Sequence, residues 1–250
     1  MMLDNMTVQK LHEMKLSVMA AKFREQSGDG AAKELNFEER FGCIVDAEWA
    51  SRKSRRLTRL IRKAALEYPG ACLEDVEYHS DRKLDQALIV RLGTCSYINE
   101  CRNIIILGAT GNGKTWLSNA FGIAACRNFM TVRYIRLPEL LAELAVARVE
   151  GTYSKIIAAY KKVKLLILDE WLLYPLKDIE ARDLLEIAES RHKKASTVFC
   201  SQFDTDGWHT QIGDPTLADA VVDRIVHDSY TIVIEGKESM RKRKGLTEEA

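Results

Sequence analysis

One short segment combines glycines, a lysine and a threonine at a spacing suited to holding phosphate groups. The segment GATGNGKT occupies residues 108–115, after an apolar stretch and before a helical one. Its glycines let the backbone wrap closely, so that successive N–H groups and a helix N-terminus face an anion. Lys114 is expected to reach the β- and γ-phosphates of ATP, and Thr115 to hold Mg²⁺. The predicted ATP-binding residues are Gly108, Ala109, Thr110, Gly111, Asn112, Gly113, Lys114 and Thr115.

A pair of acids ends a second apolar segment, KLLILDE at residues 164–170. In a parallel sheet, the carboxyl ends of the strands form the edge at which ligands bind. Asp169 is expected to support the magnesium ion, and Glu170 to be the general base that polarises water for attack on the γ-phosphate. The alternative is a strand that merely ends in two solvated acids. Together with the phosphate-binding turn, the pair predicts hydrolysis of ATP.

A third apolar segment, TVFC, is followed by Ser201 and Gln202. A polar side chain at such a strand tip can orient the attacking water between the first two motifs. Both residues are therefore candidate catalytic groups, and a plain turn is the alternative interpretation.

Arg224 lies near the end of the helical segment VVDRIVHD. An exposed arginine at a helix end can stabilise transition-state charge in the site of a neighbouring subunit. A salt bridge with Asp223 or Asp228 is the alternative. Arg182 and Arg191 are weaker rivals for the same role.

The elements that position these residues follow from the rhythm of apolar residues after position 102. Short apolar segments alternate with helical ones, which predicts an α/β fold with a parallel sheet covered by helices. The predicted strands are Asn103–Leu107, Thr131–Ile135, Lys164–Asp169, Thr197–Cys200 and Tyr230–Ile234. The predicted helices between them are Lys114–Asn128, Pro138–Arg148, Ile179–His192 and Pro215–His227.

The region before the sheet has a helical pattern from Thr7 to about Leu66, with a break near residues 27–30. Asn36 is predicted to cap the helix that follows the break. Pro69 and Gly70 form the first strong chain breaker, where we place the domain boundary. The predicted organisation is a helical N-terminal domain at 1–67, an ATPase core at 68–240 and a basic tail at 241–250.

Composition limits the class of protein. The 250 residues are 46% hydrophobic and 29% charged, with a net charge of +1, enough for one sizeable folded core. The apolar runs are far shorter than a bilayer span, and the N-terminus lacks a signal-peptide pattern, so we expect a soluble cytoplasmic protein without membrane partners. The six cysteines and five histidines lack the spacing of zinc ligands.

The sequence as a whole resembles the IstB-like family, AAA+ helper ATPases of insertion-sequence transposition that are related to DnaC helicase loaders. The resemblance covers nearly the whole chain and is far more specific than the phosphate-binding turn alone. It rests on FEERFGCIVDAEWASRKSRRLTRLIRKA, ACLEDVEY, NIIILGATGNGKTWL, LLILDE, GWHTQIGDPTLADAVVDRIVH and IVIEGKESMR.

The resemblance implies an AAA+ core with a five-stranded parallel sheet, in which the strand ending at Ser201 lies between the P-loop strand and the LLILDE strand. Ser201 and Gln202 align with a sensor position that is usually Ser-Asn, so Gln202 departs from the family pattern. Arg224 aligns with the arginine finger, which implies ATP sites between the subunits of a homo-oligomer. The family assembles on duplex DNA and recruits or stimulates a transposase, the enzyme that performs the strand chemistry of recombination.

Basic residues recur every three or four positions between residues 51 and 63, in a segment without acids. On a helix this spacing forms a stripe, and the resemblance suggests that the stripe follows a DNA backbone without reading sequence. A solvated face is the alternative. The candidate DNA-binding residues, here called the basic stripe, are Arg52, Lys53, Arg55, Arg56, Arg59 and Arg62.

Three other functions stay open from the sequence. A helicase loader of the DnaC type would share the core, although the segment AEWASRKSRR favours the transposition helper. A small-molecule kinase would share Lys114 and Thr115 but needs an acceptor pocket and usually an arginine-rich lid. A nucleotide switch that binds ATP without hydrolysis is the third. The leading prediction is an ATPase stimulated by duplex DNA.

Overall fold

The computed structural model describes residues 2–28, 34–236 and 240. Contacts within it divide the chain into two compact units, Met1–Arg59 and Leu60–Ala250. The predicted basic tail, residues 241–250, lies outside the described residues. Within the described parts of the chain, no helix combines the length and apolarity that a bilayer crossing requires.

The N-terminal unit is built from helices, as the sequence predicts. They are α1 (Met2–Glu13), α2 (Ser17–Gly28) and α3 (Phe37–Ala64), whose last turn belongs to the second unit. The predicted cap of α3 is confirmed: the Glu39 backbone N–H donates to Asn36 Oδ1 at 2.9 Å. Glu39 Oε2 accepts from the Asn36 N–H at 3.0 Å in return, which completes a capping box.

Glu48 of α3 serves the neighbouring helix α2. Its Oε2 accepts hydrogen bonds from the backbone N–H groups of Val18 and Met19, at 3.0 and 3.1 Å. These amides belong to the first turn of α2, which has no carbonyl partners of its own for them. A buried carboxylate, only 4% exposed, therefore stabilises the start of α2.

The second unit contains five strands and the helices that cover them. The strands are β1 (Asn103–Gly108), β2 (Val132–Arg136), β3 (Leu165–Asp169), β4 (Ser196–Ser201) and β5 (Ser229–Ile234). The helices are α4 (Gln86–Gly93), α5 (Ser96–Asn99), α6 (Lys114–Arg127), α7 (Leu137–Val149), α8 (Tyr153–Lys162), α9 (Asp178–Arg191), α10 (Thr205–Ile212) and α11 (Pro215–Val226).

All strand pairs are parallel, in the order β2-β3-β4-β1-β5. The expected position of β4 between β1 and β3 is confirmed, and each predicted strand end lies within one residue of the observed one. The predictions missed four short helices, α4, α5, α8 and α10, of which the longest has ten residues. Because neighbouring parallel strands end at one edge, the sheet brings the residues that follow β1, β3 and β4 together.

The sheet core consists of apolar side chains on both faces of the central strands. Ile104, Ile105 and Ile106 of β1 are at most 1% exposed, and so are the four leucine and isoleucine side chains that begin β3. Helices cover both faces of a parallel sheet, which is why these strands read as continuous apolar runs. The rigid strands position the residues at their carboxyl ends.

Candidate functional site

The predicted phosphate-binding turn connects β1 to α6. Gly113 precedes the helix with φ of 90°, a backbone conformation that residues with a side chain rarely adopt. At Gly108 the constraint is steric, because a Cβ atom there would lie 2.5 Å from the carbonyl oxygen of Ile234. Each of these two glycines is therefore required for its own local reason, the backbone conformation at Gly113 and the lack of space at Gly108. The turn lies between a strand and a helix, as the sequence predicts.

Lys114, the first residue of α6, directs its side chain back over this turn. Its Nζ donates hydrogen bonds to the carbonyl oxygens of Gly108 and Ala109, at 2.6 and 2.9 Å. Desolvation by burial lowers the pKa of Lys114, while Cys200 and Asp169 act in the opposite direction. The ammonium group lies within the turn, where phosphate oxygens can replace its carbonyl partners.

Thr115 and Asp169, the two predicted magnesium ligands, are in direct contact. Thr115 Oγ1 donates to Asp169 Oδ2 at 2.7 Å, and the Glu170 backbone N–H donates to Asp169 Oδ1 at 2.9 Å. Within the described residues, no cluster of three or more His, Cys, Asp or Glu side chains could hold a metal. Mg²⁺ usually takes one or two protein oxygens together with phosphates, so this pair fits that ion.

Glu170 directly follows β3 at a strained position, with φ of 53°. Desolvation by burial raises the pKa of its carboxyl group; Arg136 opposes this effect and Asp169 adds to it. Arg136 Nη1 lies 4.0 Å from Glu170 Oε1. A partly exposed carboxylate of raised pKa beside the phosphate-binding turn is suited to accept a proton from water.

A cavity of about 310 Å³ opens over the turn. Its lining brings together most of the predicted catalytic and ATP-binding residues. Those outside the lining are Gly108, Ala109, Asn112, Ser201 and Arg224. The lining includes the side chains of Tyr68, Arg82, Lys114, Thr115, Asp169, Glu170 and Gln202. Gln202 is held against the turn, because its Oε1 accepts a hydrogen bond from Thr110 Oγ1 at 2.9 Å.

Ser201 is not brought into the cavity, in contrast to the expectation that it orients water. Its hydroxyl donates to the carbonyl oxygen of Trp171 at 3.1 Å and accepts from Trp208 Nε1 at 3.0 Å. The side chain is 1% exposed and lies beside packed aromatic rings, Trp171, Phe199 and Trp208. The Ser201 hydroxyl forms its hydrogen bonds within the core. Gln202 is therefore the residue at the end of β4 whose polar side chain reaches the cavity.

Arg224 lies on α11 and does not line the cavity. It donates to Glu189 Oε1 at 2.8 Å and to the Ala220 carbonyl oxygen at 2.7 Å, with 31% of the side chain exposed. The ion pair that the sequence suggested as an alternative exists, but with Glu189 of α9 rather than with Asp223 or Asp228. An exposed ion pair of this kind is weak, so Arg224 can exchange its partner.

Arg191, a rival of Arg224 in the sequence, has a structural role. It is 3% exposed and donates to the carbonyl oxygens of Tyr160 and Val163, at 3.0 and 2.8 Å, and to Thr197 Oγ1 at 2.9 Å. A guanidinium enclosed in this way does not reach another subunit. Arg182, the other rival, is exposed on the same helix.

Arg82 is a site residue that the sequence analysis missed. It belongs to a short 3-10 turn before the sheet, is 7% exposed, and lines the cavity. Its Nη1 donates to the Glu77 carbonyl oxygen at 2.7 Å and its Nη2 to that of Asn112 at 3.1 Å. No local signal marks this arginine, because its partner in the phosphate-binding turn lies thirty residues further along the chain.

The six residues of the basic stripe are all exposed on α3. Several of them also have contacts within the N-terminal unit: Arg52 donates to Glu48 and to the Lys15 carbonyl oxygen, Arg55 donates to Ser51 Oγ, and Lys53 lies 4.1 Å from the centre of the Trp49 ring. Among the described residues, no carboxylate pairs with Arg59 or Arg62. Because the stripe is exposed, an anionic partner can reach it. No contact among the described residues identifies such a partner.

Sequence comparison finds a protein family and individual proteins that are similar to this chain. The profile of the family described as IstB-like ATP binding protein matches residues 9–247. A putative insertion sequence ATP-binding protein of Sinorhizobium fredii is 42% identical over 241 residues, which are 96% of this chain and 98% of the relative.

Two solved structures share the fold of the core. AMPPCP-bound DnaA from Aquifex aeolicus matches 71% of this chain with a TM-score of 0.58 and 20% identity, and the match spans about half of DnaA, 53%. The DnaC helicase loader matches 68% of this chain and 100% of its own, with a TM-score of 0.56 and 17% identity. These similarities show that the core shares the fold of those two proteins. Because the family profile covers almost the entire sequence, the chain belongs to the IstB-like ATP-binding protein family.

Proposed function

We propose that this protein is an ATP-hydrolysing AAA+ regulator of insertion-sequence transposition, which assembles on duplex DNA and recruits or stimulates a transposase. The observation that carries the ATPase part is the contact of Thr115 Oγ1 with Asp169 Oδ2, beside Glu170 and the phosphate-binding turn. The transposition part is supported by the relative described as an insertion sequence ATP-binding protein, whose length this chain matches almost completely.

Each group at the site has a role in this proposal. The turn and Lys114 bind the phosphates, and Thr115 and Asp169 hold Mg²⁺, which supplies electrostatic stabilisation of the transferred charge. Glu170 accepts a proton from the attacking water, which Gln202 helps to orient. Arg224 of a neighbouring subunit completes the site, so hydrolysis requires assembly.

The decisive measurement is ATP turnover of purified protein with and without duplex DNA. We expect turnover that rises on addition of DNA, and loss of turnover in Glu170→Gln with ATP still bound and assemblies that persist. Lys114→Ala is the matched variant that loses binding as well as turnover. If Glu170→Gln behaves like the unaltered protein, the chain is a nucleotide switch instead. Phosphoryl transfer to a metabolite without ATP-dependent assembly would indicate a kinase.

The basic stripe is tested separately, by replacing Arg55, Arg56 and Arg59 with glutamine. Removal of each cation that binds a phosphate should weaken duplex binding at every sequence and lower the slope of log affinity against log salt by about one. The control with the same charge change replaces three exposed lysines on or just after α8 with glutamine: Lys155, Lys162 and Lys164. Equal weakening in both variants would mean that net charge, not the stripe, binds DNA.

A helicase loader is the second candidate, because the fold of the core matches the DnaC loader over that protein's whole length. The two functions differ in their protein partner. Capture of a replicative helicase by the full chain in ATP, without capture of an insertion-sequence transposase, would favour the loader.

A further inference from the structure

A tyrosine hydroxyl links the proposed magnesium site to the segment that follows α3. Tyr134 on β2 is 7% exposed, and its hydroxyl oxygen lies 3.0 Å from Asp169 Oδ2 and 2.7 Å from Glu67 Oε2. Asp169 Oδ2 is also the oxygen that accepts the hydrogen bond of Thr115. One carboxylate oxygen therefore contacts both the proposed metal-binding threonine and the tyrosine.

The hydroxyl of Tyr134 has one proton and two carboxylate acceptors. It donates either to Asp169 or to Glu67, and in the second case it presents a lone pair to Asp169. An ionised carboxylate has about four acceptor sites, so Asp169 can accept this hydrogen bond and bind a cation at the same time. The contact with Glu67 holds the hydroxyl beside Asp169.

Tyr134 is held in place because it lies on a strand of the sheet. Tyr134 pairs with Ile167 across β2 and β3, and the next-but-one pair places Arg136 beside Asp169. The chain segment that carries Glu67 is fixed to α6, because the Tyr68 N–H donates to Asn119 Oδ1 at 3.1 Å. The strand and the segment therefore hold the oxygen atoms of Tyr134, Glu67 and Asp169 close to one another.

The same segment is connected to the proposed metal ligand by a second route. Asn119 Nδ2 donates to the carbonyl oxygen of Thr115 at 2.7 Å, so one amide side chain joins Tyr68 to Thr115. Leu66 packs on the same helix, where a Cβ at Gly122 would lie 2.9 Å from its side chain. The residues on either side of Glu67 are thus tied to the helix that begins at the phosphate-binding turn.

We infer that Tyr134 and Glu67 are positioning residues for the magnesium-binding carboxylate: the tyrosine hydroxyl orients Asp169 Oδ2, and Glu67 holds the hydroxyl in place. The inference deepens the proposed function and rests on it. Partners that orient metal ligands commonly change metal affinity about 10–100-fold when removed.

The test measures binding of a fluorescent ATP analogue to the full chain, in EDTA and across a titration of MgCl₂. Tyr134→Phe keeps the ring and removes the hydroxyl. We expect it to raise the Mg²⁺ concentration for half-maximal tightening about tenfold, with affinity in EDTA unchanged within about twofold. Glu67→Gln should raise this Mg²⁺ concentration less. In the Tyr134→Phe background it should not raise the concentration further, since Glu67 acts through the hydroxyl.

Tyr160→Phe is the matched control, because Tyr160 is another buried tyrosine whose hydroxyl contacts a carboxylate, Glu143, outside the cavity. It should leave the Mg²⁺ dependence as in the unaltered protein. The inference is overturned if Tyr134→Phe does not change the Mg²⁺ dependence, if it weakens binding equally in EDTA, or if the effects of the two substitutions add. A protein that binds no ATP analogue before any substitution overturns the proposed function instead.

Discussion

At the scale of single residues, two buried arginines lie in different parts of the second unit. Arg82 joins a turn before the sheet to the phosphate-binding turn, and Arg191 satisfies backbone carbonyls between α8, α9 and β4. Guanidinium suits such positions because it has five donors in a fixed plane. Both arginines therefore hold separate segments of backbone together through carbonyl oxygens.

Replacement of Arg82 by alanine should weaken ATP binding. The turn loses the hydrogen bond to the Asn112 carbonyl oxygen, and removal of a charge-assisted bond corresponds to a decrease in affinity of about tenfold. Titration with a fluorescent ATP analogue measures the change. Lys83→Ala, at the exposed neighbour that pairs with Glu235, should bind as the unaltered protein does. Normal affinity in Arg82→Ala would show that the turn holds its shape without this hydrogen bond.

Replacement of Arg191 by methionine should destabilise the second unit. Burial already lowers the pKa of Arg191 to about 10, yet its removal leaves several buried carbonyl oxygens without a donor. We expect the free energy of unfolding to fall by about 3 kcal/mol. Urea unfolding followed by tryptophan fluorescence measures this, and Arg182→Met on the same helix should change it by less than about 0.5 kcal/mol. Equal effects would contradict the assigned role.

At the scale of elements, the start of α2 depends on a carboxylate from α3. The side-chain hydrogen bond from Arg52 lowers the pKa of Glu48 below 4.5; burial opposes this effect, and the amides of Met19 and Val18 reinforce it. Because the folded pKa is below the unfolded one, this stabilisation is present above pH 4.5 and disappears as the pH falls through the lowered pKa. The N-terminal unit should therefore lose stability in acid through this carboxylate.

Glu48→Gln tests that dependence in the full chain. Hydrogen exchange in the peptide covering α2 should be faster than in the unaltered protein at neutral pH, and the two should converge as the pH falls through the pKa of Glu48. Asp46→Asn, at an exposed position of the same helix, is the control and should exchange normally. A difference that persists at low pH would mean that shape rather than charge matters at residue 48.

At the scale of the whole molecule, the proposal requires that one subunit completes the ATP site of another. Arg224 is half-buried on α11 in contact with Glu189, and it does not line the cavity of its own subunit. The Arg224→Ala variant should bind ATP normally and hydrolyse little. Glu189→Gln should keep its activity, because it removes only the exchangeable partner.

Mixing variants separates a shared site from a damaged one. In a random equal mixture of Arg224→Ala and Glu170→Gln subunits, about a quarter of the interfaces pair an intact Glu170 with an intact Arg224 from the neighbour. Turnover should therefore return in the mixture although each variant alone is inactive. A mixture that stays inactive, while both variants bind ATP and assemble, would exclude Arg224 as the group acting between subunits.

The sequence by itself determined the phosphate-binding turn, the acids at the end of β3, and the five strands to within one residue. These features depend on residues close together in the chain: the spacing of glycines and Lys114, and runs of apolar residues bounded by breakers. The cap at Asn36 is equally local, since its partner is three residues away. The family resemblance supplied the position of β4 between β1 and β3, which local patterns do not contain.

Only the tertiary structure decided which side chains meet across long stretches of chain. Ser201 and Gln202 are neighbours in sequence, yet one is enclosed by tryptophans and the other contacts the phosphate-binding turn. Successive residues of a strand point to opposite sides, and the packing on each side decides which one reaches the cavity. The contacts of Arg82 with Asn112 and of Tyr134 with Glu67 likewise arise from strand pairing and burial, for which no spacing in the sequence provides a signal.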